Sequence, residues 1–215
     1  MLDNDATIRL ILLIALIVGF QVLVSHVALE REAKRRWQHA LTGHILVQAS
    51  YIIPMTYGNI GLLIGATGMA YIRFFHPEEF IKAFGPLLRP EELEAGSLPG
   101  AFFFLIGTFL TSTMFELPVA RYAVECLAIA DPMAAFVGKL VPSPMIHSSA
   151  SMSGCLACFM TAFLIGYLMI PETNMFHLAV GALGCTLAEA LPFGNDNMTI
   201  PIVSALALTW IQADN

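Results

Sequence analysis

An acid within an apolar run is the first feature of this sequence that could do chemistry. Asp131 lies in the apolar stretch 126–138, and Lys139 follows it eight residues later. A carboxylate in apolar surroundings costs a few kcal/mol unless it is paired, protonated or in contact with water. Asp131 could hold Mg²⁺ while Lys139 contacts phosphate oxygens. In the alternative interpretation, Asp131 caps a helix that restarts at Pro132.

A second polar group lies closer to the C-terminus. Glu189 is near the end of an apolar run, and proline and glycine then break the segment 192–197. Three polar side chains follow the break, among them Asp196 and Asn197. Irregular backbone between apolar spans is tolerated where protein or water satisfies its polar groups, which indicates a cavity. An ordinary polar turn between two spans is the alternative.

A basic and aromatic group precedes both of these. Arg35 and His39 are four residues apart and therefore share one face of a predicted helix, next to Arg36 and Trp37. They belong either to a functional site or to the arginine and aromatic anchors that commonly flank a membrane span.

The composition shows which elements must position these groups. Of the 215 residues, 57% are apolar and only 12% are Asp, Glu, Lys or Arg, and the mean hydropathy is +0.74. Soluble domains carry about 25% charged residues, so the sequence predicts an integral membrane protein. The net charge of −6 and the scattered basic residues exclude a nucleic-acid-binding class.

Apolar runs separated by turn signals predict one all-α, multi-pass transmembrane domain, residues 1–215, with about eight helices. The first run follows an acidic tip and lacks a cleavage site, so we expect a retained span rather than a signal peptide. Residues 76–99 are polar and rich in proline, which predicts an amphipathic loop on the cytoplasmic side. The predicted spans are 8–27, two short spans within 39–75, 101–115, 117–139, 154–170, 175–191 and 199–211.

The basic residues predict an orientation with both termini outside. The dense charge run 30–36 is expected on the cytoplasmic side, or the equivalent side of an organelle membrane. The loops 76–99, 139–153 and 193–198 then face that same side, and the short opposite loops contain no lysine or arginine. This arrangement suits an enzyme that meets a soluble anionic co-substrate at one face and a lipid within the bilayer.

The four cysteines do not form a metal-binding pattern. Cys155 and Cys158 form a C-x-x-C pair inside an apolar run, without a second ligand pair at zinc spacing. Free cysteine is among the most buried residue types. We therefore expect core positions for both, and equally for Cys126 and Cys185.

The three polar groups, in this order, resemble the CTP-dependent polyprenol kinase family, which includes dolichol kinase, phytol kinase and the CTP-dependent diacylglycerol kinases. The family pattern Arg/Lys-x-x-His-x-x-x-Gly is similar to residues 36–43, and Gly-Asp-x-x-Ala-x-x-x-Gly is similar to 130–138. The late element Glu-x-x-Pro…Asp-Asn…Pro is matched within 189–201 and is the most specific of the three. The resemblance extends from about Glu30 to Ile202.

One element of the family departs from its pattern here. The family carries Lys-Ser-x-Glu-Gly-Ser where this sequence has residues 150–155, and the Lys, the Glu and the final Ser are replaced. Ala130 also stands where the family has the glycine before the signature acid. The missing Lys removes a phosphate contact, and the missing Glu removes a metal ligand or base. Lys139 or His147 are the residues that could substitute.

The resemblance implies transfer of the γ-phosphoryl group of CTP to the hydroxyl of a polyprenol, phytol or diacylglycerol, with Mg²⁺ as cofactor. It implies that Asp131 and Asp196 bind the metal, and that Glu189 orients a ligand or accepts the alcohol proton. It also implies that the remaining contacts, to the phosphates, the nucleotide or the metal shell, are made by Arg36, His39, Lys139, Gly138 and Asn197.

Two other functions remain open. A noncatalytic descendant would keep the fold as a structural subunit of a larger membrane assembly, and the three replaced residues favour it. A cytidylyltransferase that makes CDP-lipid also joins CTP to lipid at paired acids. The expected partners are a lipid alcohol and other copies or subunits of a homo- or hetero-oligomeric assembly, in the membrane of the endoplasmic reticulum, of another organelle or of a bacterial cell.

Overall fold

The computed structural model describes residues 4–27, 30–147, 150–191 and 194–210. Throughout these ranges the chain is helical, and its only β-structure there is one isolated bridge between Met145 and Ser151. The predicted all-α class is confirmed. Pro192 and Ile211, which were assigned to a predicted break and to a span end, lie outside the described residues.

The chain divides into two compact units, residues 1–109 and 110–215. The first unit contains α1 (Asn4–His26), α2 (Arg31–Ala49), α3 (Met55–Phe75) and α4 (Pro77–Phe84). The boundary falls within α5 (Gly100–Met114). The second unit contains α6 (Leu117–Glu125), a π-helical turn (Cys126–Ala130), α7 (Asp131–Leu140), α8 (Met152–Met169), α9 (Met175–Ala190) and α10 (Asp196–Trp210).

Two of the described helices are long and apolar enough to cross a bilayer, in α1 over Thr7–Val24 and in α8 over Met152–Met169. Helices α5 and α9 are apolar but shorter. Only 6% of the α1 window is buried within the protein, which leaves a long apolar surface of the kind that lipid covers. The count of eight spans stays a prediction.

The predicted span 117–139 is one continuous helix that contains a π-helical turn. Asp131 has helical angles (φ −60°, ψ −53°), and its N–H donates to the carbonyl of Cys126, five residues back. The interpretation of Asp131 as the cap of a restarting helix is therefore wrong. Pro132 has no N–H, and its ring would clash with the carbonyl four residues earlier in an α-helix. The wider π turn relieves this clash without ending the helix.

The segment 76–99 is folded around a buried arginine of α3. It consists of α4 and two 3₁₀ turns, Gly85–Leu87 and Pro90–Leu93. Arg73 is 4% exposed, and its guanidinium donates to the carbonyl oxygens of Ser97 at 3.0 Å and Glu94 at 2.6 Å. Arg73 therefore stabilises the segment from within instead of adding positive charge to its surface.

The helices of the second unit form antiparallel neighbours in the order α7, α8, α9 and α10, and α10 also packs on α6 and the π turn. Glycines lie where the helices come closest. A Cβ on Gly154 would meet the carbonyl oxygen of Ala134 at 2.8 Å, and one on Gly184 would meet the Cβ of Ala207 at 2.5 Å. Glycine at these positions lets the two helix backbones come closer together than a larger residue would allow.

We expect Gly184→Ala to lower the stability of the protein by about 1 to 3 kcal/mol, because the added methyl group overlaps a side-chain atom that cannot rotate away. The matched control is Gly68→Ala in α3, where a Cβ would meet nothing within 4 Å. That control should be neutral or stabilising by up to about 1 kcal/mol. Thermal unfolding of both variants in the same detergent measures the difference, and equal midpoints would contradict the packing argument.

Candidate functional site

The polar residues of the second unit gather at one end of its helices. Because α8 and α9 are antiparallel and joined by a short turn, the start of α8 lies beside the end of α9. The described parts of these two connections, residues 141–147, 150–151, 191 and 194–195, therefore lie at the same end, as their prediction on one side of a membrane requires. Lys139, Glu189 and Asp196 all lie at this end, which we term the polar end of the second unit. Asp131 lies eight residues before Lys139, about 12 Å deeper along the helix.

Asp131 and Glu189 flank the same contact between α8 and α9. Asp131 lies near Cys185, and Glu189 lies near Cys155 and Cys158. The sulfur atoms of Cys158 and Cys185 are 3.7 Å apart. The two predicted acids therefore belong to one neighbourhood, although the sequence separates them by 58 positions.

The cysteine prediction is confirmed for three of the four residues. Cys126, Cys158 and Cys185 are completely buried, whereas Cys155 is half-buried. The buried thiols fill small spaces between α8, α9 and the π turn.

Helix α10 begins earlier than the sequence indicates. The predicted span starts at residue 199, but the helix starts at Asp196, so Asp196 and Asn197 occupy its first turn and not a polar break. The reason is a cap: the side-chain oxygen of Asn195 accepts the N–H of Asn197 at 3.2 Å. Gly194 makes the preceding turn with a φ of +125°, a conformation that favours glycine.

The first turn of α10 combines two features that suit a bound cation or phosphate group. Asp196 lies in the first turn, at the positive end of the helix dipole. Pro201 lies four residues after Asn197 and removes the N–H that a regular helix would donate to the Asn197 carbonyl. The side chain of Asn197 is buried.

The loop that differs from the kinase pattern is closed by serine hydroxyls. Ser143 Oγ donates to Ser153 Oγ at 2.8 Å, and Ser153 Oγ donates to the carbonyl of Val141 at 2.8 Å. Ala150 is buried, and Ser151 caps α8 by accepting the N–H of Gly154 at 3.2 Å. Small residues therefore fill positions 150 and 153, where the family has Lys and Glu. Sequence reasoning missed this network, and the serines on both sides of the loop are the signal that could have indicated it.

Gly138, the predicted nucleotide contact, packs against this loop. A Cβ at Gly138 would meet Ser151 Oγ at 2.7 Å and the Cα of Gly154 at 3.5 Å. The glycine is thus required for the contact between α7 and α8, whatever else it contacts.

Arg36 and His39 belong to the first unit, whereas the other predicted site residues belong to the second. Arg36 forms an ion pair with Glu32 at 2.8 Å. The ring of His39 packs edge-on against Phe104, with 4.8 Å between the ring centroids. Both side chains therefore have structural contacts at the start of α2.

Glu32 is the centre of a charge cluster at the start of α2. Arg35 donates to both of its carboxylate oxygens, at 3.0 Å and 3.2 Å from one nitrogen. Burial acts to raise the pKa of Glu32. The hydrogen bond and charge of Arg35, aided by the charges of Arg36 and Arg89, outweigh that effect and hold the pKa below its ordinary value of 4.5.

This lowered pKa predicts a pH-dependent contribution to stability. A carboxyl group whose pKa is lower in the folded state stabilises the protein above its unfolded pKa, and the contribution disappears as the pH falls through the folded value. Glu32→Gln should therefore lower the midpoint temperature of unfolding most near neutral pH, and the difference from wild type should become smaller below pH 4.5. Glu79→Gln, at an exposed acid of α4, is the control and should show no such trend. A constant difference at all pH values would contradict the ion-pair explanation.

The predicted metal ligands of the second unit have the donor chemistry that Mg²⁺ prefers. Asp131, Asp196 and Asn197 offer carboxylate and amide oxygens, the ligands that this ion prefers. Within the ranges that the structure describes, no three His, Cys, Asp or Glu residues are grouped so as to hold a metal ion. Mg²⁺ commonly needs only one or two carboxylates, because substrate phosphates and water complete its coordination.

Comparison with known proteins supports the resemblance to CTP-dependent lipid kinases. The chain is similar to CTP-dependent diacylglycerol kinase 1 of Schizosaccharomyces pombe, with 29% identity over 186 residues that cover 76% of this chain and 83% of the relative. It is also similar to the uncharacterized protein RP860 of Rickettsia prowazekii, with 28% identity over 120 residues that cover 53% of this chain and 58% of that protein. No family model and no solved structure matches the chain.

Proposed function

We propose that this protein is a membrane-embedded kinase that transfers the γ-phosphoryl group of CTP to a lipid alcohol, with diacylglycerol as the first substrate to test. The observation that carries the proposal is the similarity to a CTP-dependent diacylglycerol kinase over most of both chains. The apolar, exposed surface of α1 supports the membrane assignment. Polyprenols and phytol are the alternative acceptors.

In the proposed mechanism, the chain contributes positioning and charge, which are the main requirements of phosphoryl transfer. Asp131 and Asp196 would hold Mg²⁺, which neutralises charge on the transferring group. Lys139, at the end of α7, donates to phosphate oxygens, and Asn197 contacts the nucleotide. Glu189 accepts the proton of the attacking hydroxyl or orients the group that does.

The family resemblance assigns further phosphate contacts to two residues of α2. Arg36 and His39 lie at the start of α2, in the most basic part of the sequence. Arginine provides paired donors that match phosphate oxygens. Glu32 orients the Arg36 guanidinium through the 2.8 Å ion pair.

A noncatalytic subunit of a larger membrane assembly is the second candidate. The observation that favours it is the serine-closed loop, in which buried Ala150 and hydrogen-bonded Ser153 provide neither a cation nor a carboxylate. The third candidate is a cytidylyltransferase. A kinase would transfer the γ-phosphate of CTP to the lipid, whereas a cytidylyltransferase would transfer the α-phosphate together with the nucleoside.

The test uses purified protein with Mg²⁺, a lipid alcohol and CTP labelled at either the α or the γ position. We expect the γ label to appear in the lipid, and we expect Asp131→Asn and Asp196→Asn to reduce its transfer on the order of 10²-fold or more. Each asparagine keeps the shape of the side chain and removes its charge. Glu172→Gln, in the turn at the opposite end of α8 and α9, is the control and should retain full activity.

The other outcomes separate the three candidates. The α label in the lipid would indicate a cytidylyltransferase. No label in the lipid from either position, for a wild-type protein that is folded by thermal unfolding, would support the subunit and overturn the kinase proposal.

A further inference from the structure

A cleft of about 210 Å³ opens in the first unit, between the start of α2 and the segment 87–90. None of its lining residues belongs to the predicted site. Leu87, Leu88 and Pro90 form its apolar lining. Its charged lining consists of three arginines and two glutamates: Arg31, Arg35, Arg89, Glu30 and Glu32.

One wall of this cleft is held in place by buried groups behind it. Glu92 is 7% exposed, and its carboxylate accepts the N–H groups of Arg89 and Gly100, each at 2.8 Å. Arg73 binds the carbonyls that follow Glu92, and its guanidinium lies 5.7 Å from the centre of the Phe80 ring. The backbone that carries Arg89 is therefore fixed before any ligand arrives.

The other wall is the first turn of α2, where the arginines are spaced by the helix. Glu32 holds Arg35 and Arg36 on one side of the turn. The charge of Arg89 also reaches Glu32 from across the cleft. The lining carries one more positive than negative group, since it contains Arg31, Arg35 and Arg89 but only Glu30 and Glu32. Outside the lining, Glu91 lies 4.0 Å from Arg89.

We propose that this cleft binds a phosphomonoester dianion, such as the headgroup of a lipid phosphate or free phosphate, through Arg31 and Arg89. A phosphomonoester carries a charge of about −2, opposite in sign to the net charge of the lining. Arginine pairs with phosphate oxygens through two parallel hydrogen bonds, so guanidinium groups from both walls can hold one phosphate. This site goes beyond the proposed kinase reaction and does not require it, because neither of its two binding arginines is assigned to catalysis.

The neighbouring surface favours the lipid-borne form of this anion. Helix α4 follows Arg73 along the chain and exposes Ile81 and Phe84, while Phe80 is buried beneath it. Exposed apolar side chains beside a basic cleft are typical of a surface at the membrane interface. A lipid phosphate could therefore place its headgroup between the arginines while its chains stay in the bilayer.

The test measures thermal unfolding of the full chain in neutral detergent micelles, as a function of added ligand. The ligands are dihexanoyl phosphatidic acid, inorganic phosphate, CTP and dihexanoyl phosphatidylcholine. Ligands that bind the folded protein raise its midpoint in a concentration-dependent way. We expect phosphatidic acid to do so, phosphatidylcholine to have no effect, and Arg31→Gln/Arg89→Gln to weaken the response about tenfold or more.

Controls separate this site from folding effects and from catalysis. Lys82→Gln removes a basic side chain from α4, outside the cleft lining, and should respond as wild type does. Arg31→Lys/Arg89→Lys keeps both charges and should recover part of the response, while Asp196→Asn should leave it intact. If the double glutamine variant does not fold, the single variants Arg31→Gln and Arg89→Gln replace it.

Each outcome supports or overturns the proposal. A response to phosphatidic acid alone identifies the lipid headgroup, and an equal response to inorganic phosphate identifies free phosphate. A response to CTP alone would assign the cleft to the nucleotide and overturn the proposal, as would an unchanged response in the double glutamine variant. If the rise in the unfolding midpoint is lost in Asp196→Asn but kept in the arginine variants, the anion binds outside this cleft and the proposal is overturned.

Discussion

The close approach of helix backbones in the second unit is the constraint on which the candidate site depends. Gly154 lies against the carbonyl of Ala134, and Gly184 lies against Ala207, with no space for a side chain at either glycine. Between apolar helices in an apolar medium, packing of this kind replaces the hydrophobic effect as the source of stability. Because α7, α8, α9 and α10 are held at these contacts, the connections α7–α8 and α9–α10 bring their polar residues to one end. Without these helix contacts, Asp131 and Glu189 would not lie close to the same pair of helices.

Proline adjusts the backbone at two positions next to the predicted acids. Pro132 follows Asp131 and coincides with a π-helical turn, and Pro201 lies one turn after Asn197 inside α10. In both places a helical hydrogen bond is lost, yet the helix continues, because neighbouring helices hold it in place. In each place the proline lies within five residues of a predicted acid. This coincidence is consistent with polar chemistry at the same end of the unit.

The sequence predicts helices well here and predicts their local breaks poorly. Helix α9 agrees with the predicted span 175–191 to within one residue, because an apolar run with a capping Asn174 depends only on local chemistry. The choice between a restart and a π turn at Asp131 depends on how α8 and α10 pack against it, which no local pattern reveals. Similarly, Arg73 binds carbonyls 19 to 24 residues away along the chain. Its burial follows from tertiary contacts and could not be read from its position before a polar segment.

The charges of the second unit set a condition on the proposed reaction. Arg121 and Lys139 are the only lysine or arginine residues in 110–215, whereas the same part of the sequence contains seven acidic residues. A nucleoside triphosphate carries several negative charges, so such a set of acids would repel it unless metal ions or other cations intervene. The first half of the chain contains the other eight basic residues, and the densest group of them is at the start of α2. If the chain transfers phosphate from CTP, the acids of the second unit can hold the metal but cannot alone balance the nucleotide.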